Sequence, residues 1–280
     1  MRQLGIVGVG LMGGSLALAA REKKLFDSIV GCCKSRESSR AAIELNVIDR
    51  ALSFDDLIAD SDTIALAAPV ETIVALIPKL VAAKSDAVFA DLGSTKTAIV
   101  QAIPPAIRGR FVAAHPMCGT EYSGPKAAFG SLYDDRIVVL CDTEANDQGA
   151  LETIQTLFSV IGMKIVKMRS QDHDRHAAFI SHLPHAISYA LANSVLRQED
   201  KRSILTLAAG GFRDMSRLAK SSSAMWIDIF KQNKPAITAA INAFDDELKK
   251  AEKLLAGDDW DALERWMKSA NALHAIFKAE

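Results

Sequence analysis

Four short segments of this chain hold residue types that packing alone does not demand. Asp91-Leu-Gly-Ser-Thr-Lys96 follows the apolar run Ala87–Asp91 and opens a helical pattern. His115-Pro-Met-Cys-Gly-Thr-Glu121 follows the next apolar run. Ser181-His-Leu-Pro-His185 and Gly210-Gly-Phe-Arg-Asp-Met-Ser-Arg217 come later, among helical patterns. A histidine held at a strand end accepts a proton near neutral pH, its unperturbed pKa being about 6.5. His115 is therefore the candidate base, with Ser94 placed where a substrate hydroxyl or a cofactor ring would lie. Thr120 and Glu121 add polar groups to the His115 loop, and His182 and His185, three apart, share a helix face. Arg213 and Arg217 stand one turn apart if their segment is helical, and forked guanidinium donors recognise carboxylates. Plainer readings stay open beside these: Ser94 or Thr95 as a helix N-cap, and Arg213–Asp214 as a surface ion pair.

The partner chemistry is written at the other end. Gly8-Val-Gly-Leu-Met-Gly13 lies between the apolar run Leu4–Val9 and the helical run Leu11–Ala20. In that context Gly8 permits a tight strand-to-helix turn, Gly10 lets a pyrophosphate approach the backbone, and Gly13 lets the helix pack close. Leu11 and Met12 then open the helix whose N-terminus faces the anion. A secretory signal is the competing reading of Met1–Ala20, and the five glycines between Gly5 and Gly14 argue against its continuous apolar helix. An NAD site usually shows an acidic residue after the second strand. Here Cys33, Lys34, Ser35 and Arg36 occupy that place, and the donors among them suit a 2′-phosphate, so NADP is expected ahead of NAD. Lys96 is expected beside the cofactor.

Alternating strand and helix patterns run to about residue 169. They predict an α/β region with a doubly wound, mostly parallel Rossmann-type sheet. From there the chain reads as all-helical, with Asp172–Leu196 as one helix kinked at Pro184. Ile237, Ile241, Phe244, Leu248, Ala251 and Leu255 form an apolar stripe. The expected division is residues 1–169 for the dinucleotide and 170–280 for substrate and dimerisation. The 280 residues carry a formal net charge of −1, so nothing drives them toward nucleic acid or an anionic membrane. The four cysteines have no metal-ligand spacing and read as reduced thiols, which places the chain in the cytoplasm. His173, His176, His182 and His185 spread over too many helical turns to ligate one ion together, so no metal is expected.

The motifs Gly8–Ser15, Asp91–Lys96, His115–Glu121, Ser181–His185 and Gly211–Arg217 with Met225-Trp226 resemble the prephenate/arogenate dehydrogenase family of tyrosine biosynthesis. They follow the expected order across most of the chain. The resemblance implies oxidative decarboxylation of a cyclohexadienyl substrate, with hydride passing to NADP or NAD. It implies His115 as the group that takes the ring-hydroxyl proton and Ser94 as the residue that binds the same hydroxyl. It further implies Arg217 as the substrate-carboxylate anchor, His182, His185 and Trp226 as pocket residues, and a helical homodimer. The missing acidic ribose ligand tilts the expectation toward arogenate. A β-hydroxyacid dehydrogenase, with Lys201 or Lys220 as its catalytic lysine, and a non-catalytic dinucleotide sensor are the alternatives.

Overall fold

The computed structural model describes residues 2–83 and 86–277. Its first part alternates as the sequence predicts. The elements are β1 (Gln3–Val7), α1 (Leu11–Glu22), β2 (Ser28–Cys32), α2 (Arg36–Glu44), β3 (Arg50–Ala51), α3 (Phe54–Asp60), β4 (Thr63–Leu66) and α4 (Val70–Ala82). Next come β5 (Val88–Asp91), α5 (Thr97–Ala102), α6 (Pro105–Arg108), β6 (Phe111–Pro116), β7 (Ile137–Cys141), α7 (Gln148–Val160) and β8 (Lys164–Met168). One eight-stranded sheet results, in the order β3-β2-β1-β4-β5-β6-β7-β8. Every neighbouring pair is parallel except β6 and β7.

Strand alternation sorts the core into two layers. Leu4, Ile6, Ala65, Ala90 and Val112 pack into one cluster; Val7, Ile64, Leu66, Phe89 and Phe111 pack into the other. Adjacent residues of a strand point to opposite faces, so a strand buried on both sides reads as a continuous apolar run. That explains why β1, β4, β5 and β6 were legible. The two-residue β3, paired to Val30 and Gly31, is too short to leave such a signal.

Helices follow the sheet: α8 (Ser170–Ala177), α9 (Leu183–Leu196), α10 (Lys201–Thr206), α11 (Gly210–Ser216) and α12 (Ser223–Gln232). Between α8 and α9 the chain makes one π-helical turn, Ala178–His182. Pro184 offers no N–H to the carbonyl four residues back and its ring crowds that carbonyl, so the turn widens there. The expected kink is thus a local widening.

By packing, the chain separates into Met1–Lys234 and Pro235–Glu280. The sequence divided it at residue 169. However, the helices through α12 pack with the sheet, because side chains of α8 bond directly to the loop after β5. The second unit holds most of α13 (Lys234–Ala256), with α14 (Trp260–Ala270) and α15 (Ala272–Phe277). Within it Trp266 Nε1 donates to Glu247 Oε2 at 2.6 Å, joining α14 to α13. Its stripe residues Ile241, Leu248 and Leu255 are exposed, as are Trp260 and Met267.

One buried ion pair joins the strands beneath the site. Asp91, at the end of β5, and Lys96 are both wholly buried. Lys96 Nζ pairs with Asp91 Oδ2 and donates to the Ala114 carbonyl on β6 at 2.8 Å. Asp91 also accepts N–H bonds from Gly93 (2.8 Å) and Ala114 (3.2 Å). Burial pushes the Asp91 carboxyl up, and Lys96 with the two N–H groups pulls it back. Removing one partner of such a pair leaves an uncompensated charge and typically costs about 3–5 kcal/mol. Lys96→Met is therefore expected to lose about that much stability in urea titrations at pH 7, and Asp91→Leu/Lys96→Met to recover part of it. A Lys96→Met variant as stable as the wild type would contradict this role.

Candidate active site

The turn from β1 to α1 assigns each glycine a separate task. Gly8 has φ +92°, a conformation that side chains disfavour, and a Cβ there would strike the Ala67 carbonyl. A Cβ on Gly13 would strike the Gly8 carbonyl oxygen, Ile6 and Ala67. Around Gly10 nothing lies within 4 Å of such a Cβ. Gly10 is also the N-cap of α1 and supplies no side-chain acceptor, and the first turn of that helix is free of acidic residues. The first-turn N–H groups near Leu11 and Met12 thus open onto space that suits a pyrophosphate. The Met12 carbonyl is occupied behind them by Tyr133 Oη at 2.7 Å. These residues fit a dinucleotide.

Past β2, Cys33 is half-buried, while Lys34, Ser35 and Arg36 are exposed. Burial pushes the Cys33 thiol up, so it stays protonated and serves as packing. Ser35 Oγ caps α2 by accepting the Ser38 N–H at 3.1 Å. Lys34 and Arg36 make no ion pair among the described residues, which leaves both cations available.

His115 stands near the carboxyl end of β6 and is partly accessible. Its Nδ1 lies 2.8 Å from Nε2 of His173, and His173 Nδ1 lies 2.8 Å from Asp174 Oδ1. Asp174 Oδ1 also accepts the Lys96 N–H (2.7 Å), and Oδ2 accepts the Thr97 N–H (2.9 Å). Burial raises the Asp174 carboxyl, but the bonds from His173, Lys96 and Thr97 outweigh it and leave it low. Asp174 is therefore a carboxylate, which only accepts hydrogen bonds. With His173 a neutral ring, it donates from Nδ1, its Nε2 accepts, and His115 donates from Nδ1. The lone pair of His115 Nε2 is left free. Burial first, then the neighbouring His173, Lys96 and His182, hold the His115 pKa well below 6.5, so the ring is neutral at pH 7.

Asp174 also settles which group caps α5. That helix has no side-chain cap from Ser94 or Thr95; the carboxylate from α8 supplies it. Ser94 is half-buried, and its hydroxyl makes no hydrogen bond within the described residues, so it is free for a ligand. Lys96, read as a cofactor contact, has its ammonium sealed between Asp91 and Ala114 and shapes this loop from behind.

A second cluster surrounds Trp226 of α12. His185 stacks on its indole with ring centres 3.5 Å apart, and His182 meets it edge-on at 5.9 Å. Asn233 Nδ2 donates to His182 Nδ1 at 3.1 Å and to the Asp174 carbonyl at 2.7 Å. His182 therefore carries its proton on Nε2, while His185 donates from Nδ1 to the Ser181 carbonyl at 2.9 Å and keeps Nε2 as acceptor. Burial, with His173 and His185 nearby, lowers His182 to about 4 against the pull of Asp174. His185 is lowered by burial and by Arg217, and Ser181 opposes the shift. Arg217 is exposed, close enough to act on His185, and in no ion pair among the described residues. Trp226 Nε1 and Ser188 Oγ are buried and have no hydrogen-bond partner among the described residues.

The structure thus links His115, His173, His182, Trp226, His185 and Arg217 in one continuous run. It leaves Thr120, Glu121 and Arg213 exposed, and none of the three makes a hydrogen bond or ion pair to that run among the described residues. His173, Asp174 and Asn233 are the residues that sequence reasoning missed. The adjacent His-Asp pair opening the first helix after the sheet was the available signal. Lys201 and Lys220 are exposed, unlike a catalytic lysine buried in a pocket.

Comparison with known proteins agrees with this geometry. The family model for the prephenate dehydrogenase nucleotide-binding domain matches residues 16–167, and that for the prephenate dehydrogenase dimerization domain matches residues 169–269. The chain is 33% identical to the prephenate dehydrogenase of Bacillus subtilis over 273 residues, 95% of this chain and 73% of that one. The crystal structure of Aquifex aeolicus prephenate dehydrogenase with hydroxyphenyl propionate and NAD+ matches at 31% identity and a TM-score of 0.92, covering 99% of this chain and 98% of that one. Synechocystis arogenate dehydrogenase matches at 28% identity and a TM-score of 0.82, covering 98% and 99%. With a Rossmann-type sheet, a dinucleotide cradle and a neutral histidine at the same sheet edge, the chain belongs to the prephenate dehydrogenase family.

Proposed function

We propose that this chain oxidatively decarboxylates a cyclohexadienyl substrate, arogenate ahead of prephenate, using NADP in preference to NAD. The observation that carries the reading is the Asp174–His173–His115 chain, which leaves an unprotonated Nε2 on a partly accessible ring. Gly8, Gly10 and Gly13 would hold the pyrophosphate, with Leu11 and Met12 opening the helix over it. Cys33, Lys34, Ser35 and Arg36 would line the adenosine ribose. The nicotinamide supplies the hydride acceptor.

His115 Nε2 accepts the proton of the ring hydroxyl as the electron pair of the neighbouring C–H bond departs. Ser94 Oγ, free of other bonds, orients that hydroxyl. The carbonyl so formed draws the electron pair of the breaking carbon–carboxylate bond into the ring. His115 then returns the proton to the oxygen, and a phenol and CO2 are released: tyrosine from arogenate, 4-hydroxyphenylpyruvate from prephenate. Arg217 anchors a substrate carboxylate. Trp226, with its indole stacked on His185, would wall the substrate pocket beside His182 and His185. Glu121 would offer a partner to an ammonium group, and Thr120 and Arg213 would supply further polar groups to the substrate. The helical region pairs two copies. Its exposed Ile180, Leu207, Met215 and Ile227 support that reading, since a lone chain rarely presents such a group to water.

Absorbance at 340 nm, run with both substrates and both dinucleotides, is expected to show the highest specificity constant for arogenate with NADP. Turnover with neither substrate would refute the function, and a clear NAD preference would refute the assignment of Lys34 and Arg36. His115→Asn is expected to lose about 10²–10⁴ in kcat with dinucleotide binding kept. Arg217→Ala is expected mainly to raise KM, by about tenfold or more, with kcat little changed. Wild-type kinetics in both variants would discard these roles. A protonated His115 cannot accept a proton, and its pKa lies well below 6.5. Lowering the pH from 8 through 6.5 should therefore leave kcat flat, with the acid limb falling below that range. A half-maximal point at or above about 6.5 would place the base elsewhere.

A further inference from the structure

We propose that His173 and Asp174 form a closed proton store behind His115, holding the borrowed hydroxyl proton while the hydride leaves and returning it when CO2 departs. The inference rests on the oxidative-decarboxylation reading and adds to it where the proton waits.

A cation on His115 is unfavourable where it forms. The ring lies among Lys96, His182 and His173, and burial already disfavours its charged form. Among the described residues, the ring's one hydrogen-bonded neighbour is His173 Nε2, at 2.8 Å. His173 in turn touches the Asp174 carboxylate, and that carboxylate has two backbone N–H groups fixing it in place. When the substrate O–H bond breaks, an N–H bond forms at His115 Nε2. The His115 Nδ1–H bond then breaks, and an N–H bond forms at His173 Nε2. His115 is neutral again, and the positive charge sits on a ring whose other nitrogen is bonded to a carboxylate. An ion pair of this kind, buried and fully hydrogen-bonded, offsets the desolvation that an isolated imidazolium would suffer.

The store has no outlet. His173 and Asp174 are 2% and 5% exposed, and the carboxylate's remaining bonds go to backbone N–H groups that carry no mobile proton. That closure suits this reaction. The overall conversion consumes a hydroxyl-bearing ring and yields a phenol, so the oxygen ends with the proton it began with and none is discharged to water. A relay ending at solvent would lose the proton needed for the last step. One ending in a buried carboxylate gives it back along the same two hydrogen bonds.

His173→Gln separates storing from orienting. A glutamine can accept from His115 Nδ1 and donate to Asp174, which preserves the arrangement of donors and acceptors, but it cannot carry the proton. The expected result is a loss of about 10²–10³ in kcat, with the KM for the cyclohexadienyl substrate and the Kd for the dinucleotide unchanged within about threefold. A kcat within about tenfold of wild type would overturn the store and leave His173 as an orienting group. If the glutamine variant does not bind dinucleotide, His173→Gly with added imidazole decides. Saturable recovery of turnover supports the store, and no recovery overturns it. Failure of the functional reading looks different: the unaltered enzyme would itself reduce no dinucleotide with either substrate.

Discussion

The carboxylate of Asp174 is the point on which this site depends. It accepts three hydrogen bonds, from the Lys96 and Thr97 backbone N–H groups and from the His173 ring. The first two cap α5 and so place the loop bearing Ser94. The third fixes the tautomer of His173 and, through it, that of His115. A single charged group contributed by the helical region thereby sets the loop geometry after β5 and the protonation of the residue at the end of β6. Charge-assisted bonds of this type are shorter and stronger than neutral ones, and a chain of them in a low-dielectric setting reinforces itself.

The sheet supplies the complementary constraint. In a doubly wound sheet the loops after the strand carboxyl ends gather at one edge. Gly8–Gly13 follows β1, Ser94 follows β5, and His115 lies near the end of β6, so glycine turn, hydroxyl and imidazole share that edge. The buried Asp91–Lys96 pair joins β5 and β6 directly beneath, and its cation also helps keep His115 neutral. In the neighbouring cluster, Asn233 and the Ser181 carbonyl impose opposite polarities on two histidines three residues apart. His182 presents a donor and His185 an acceptor, and the widened turn before Pro184 lies where they diverge.

Much of this was legible because its causes are local. A glycine with φ +92° and a helix that needs Gly13 leave a fixed spacing in the chain, and strands buried on both faces leave apolar runs. His115 announced itself by residue type and by its place after a strand. What stayed hidden depends on contacts between residues far apart in sequence. Lys96 reads like any lysine on a ligand loop until Asp91 and Ala114 are seen to enclose it. His173 reads only as a metal candidate and Asp174 carries no signal of its own, because nothing in the order of residues says that α8 turns inward toward the loop after β5. The same contacts explain why the packing unit runs to Lys234, past the end of the sheet near residue 169.

Asp174, acting through His173, holds His115 with its proton on Nδ1 and Nε2 bare. Nitrogen-15 NMR of the histidine-labelled, ligand-free protein at pH 7 reads this tautomer directly. A protonated Nδ1 and an unprotonated, pyridine-like Nε2 are expected for residue 115, and this pattern is expected to be lost in Asp174→Asn. A wild-type spectrum with the proton on Nε2, or an imidazolium at that pH, would contradict it.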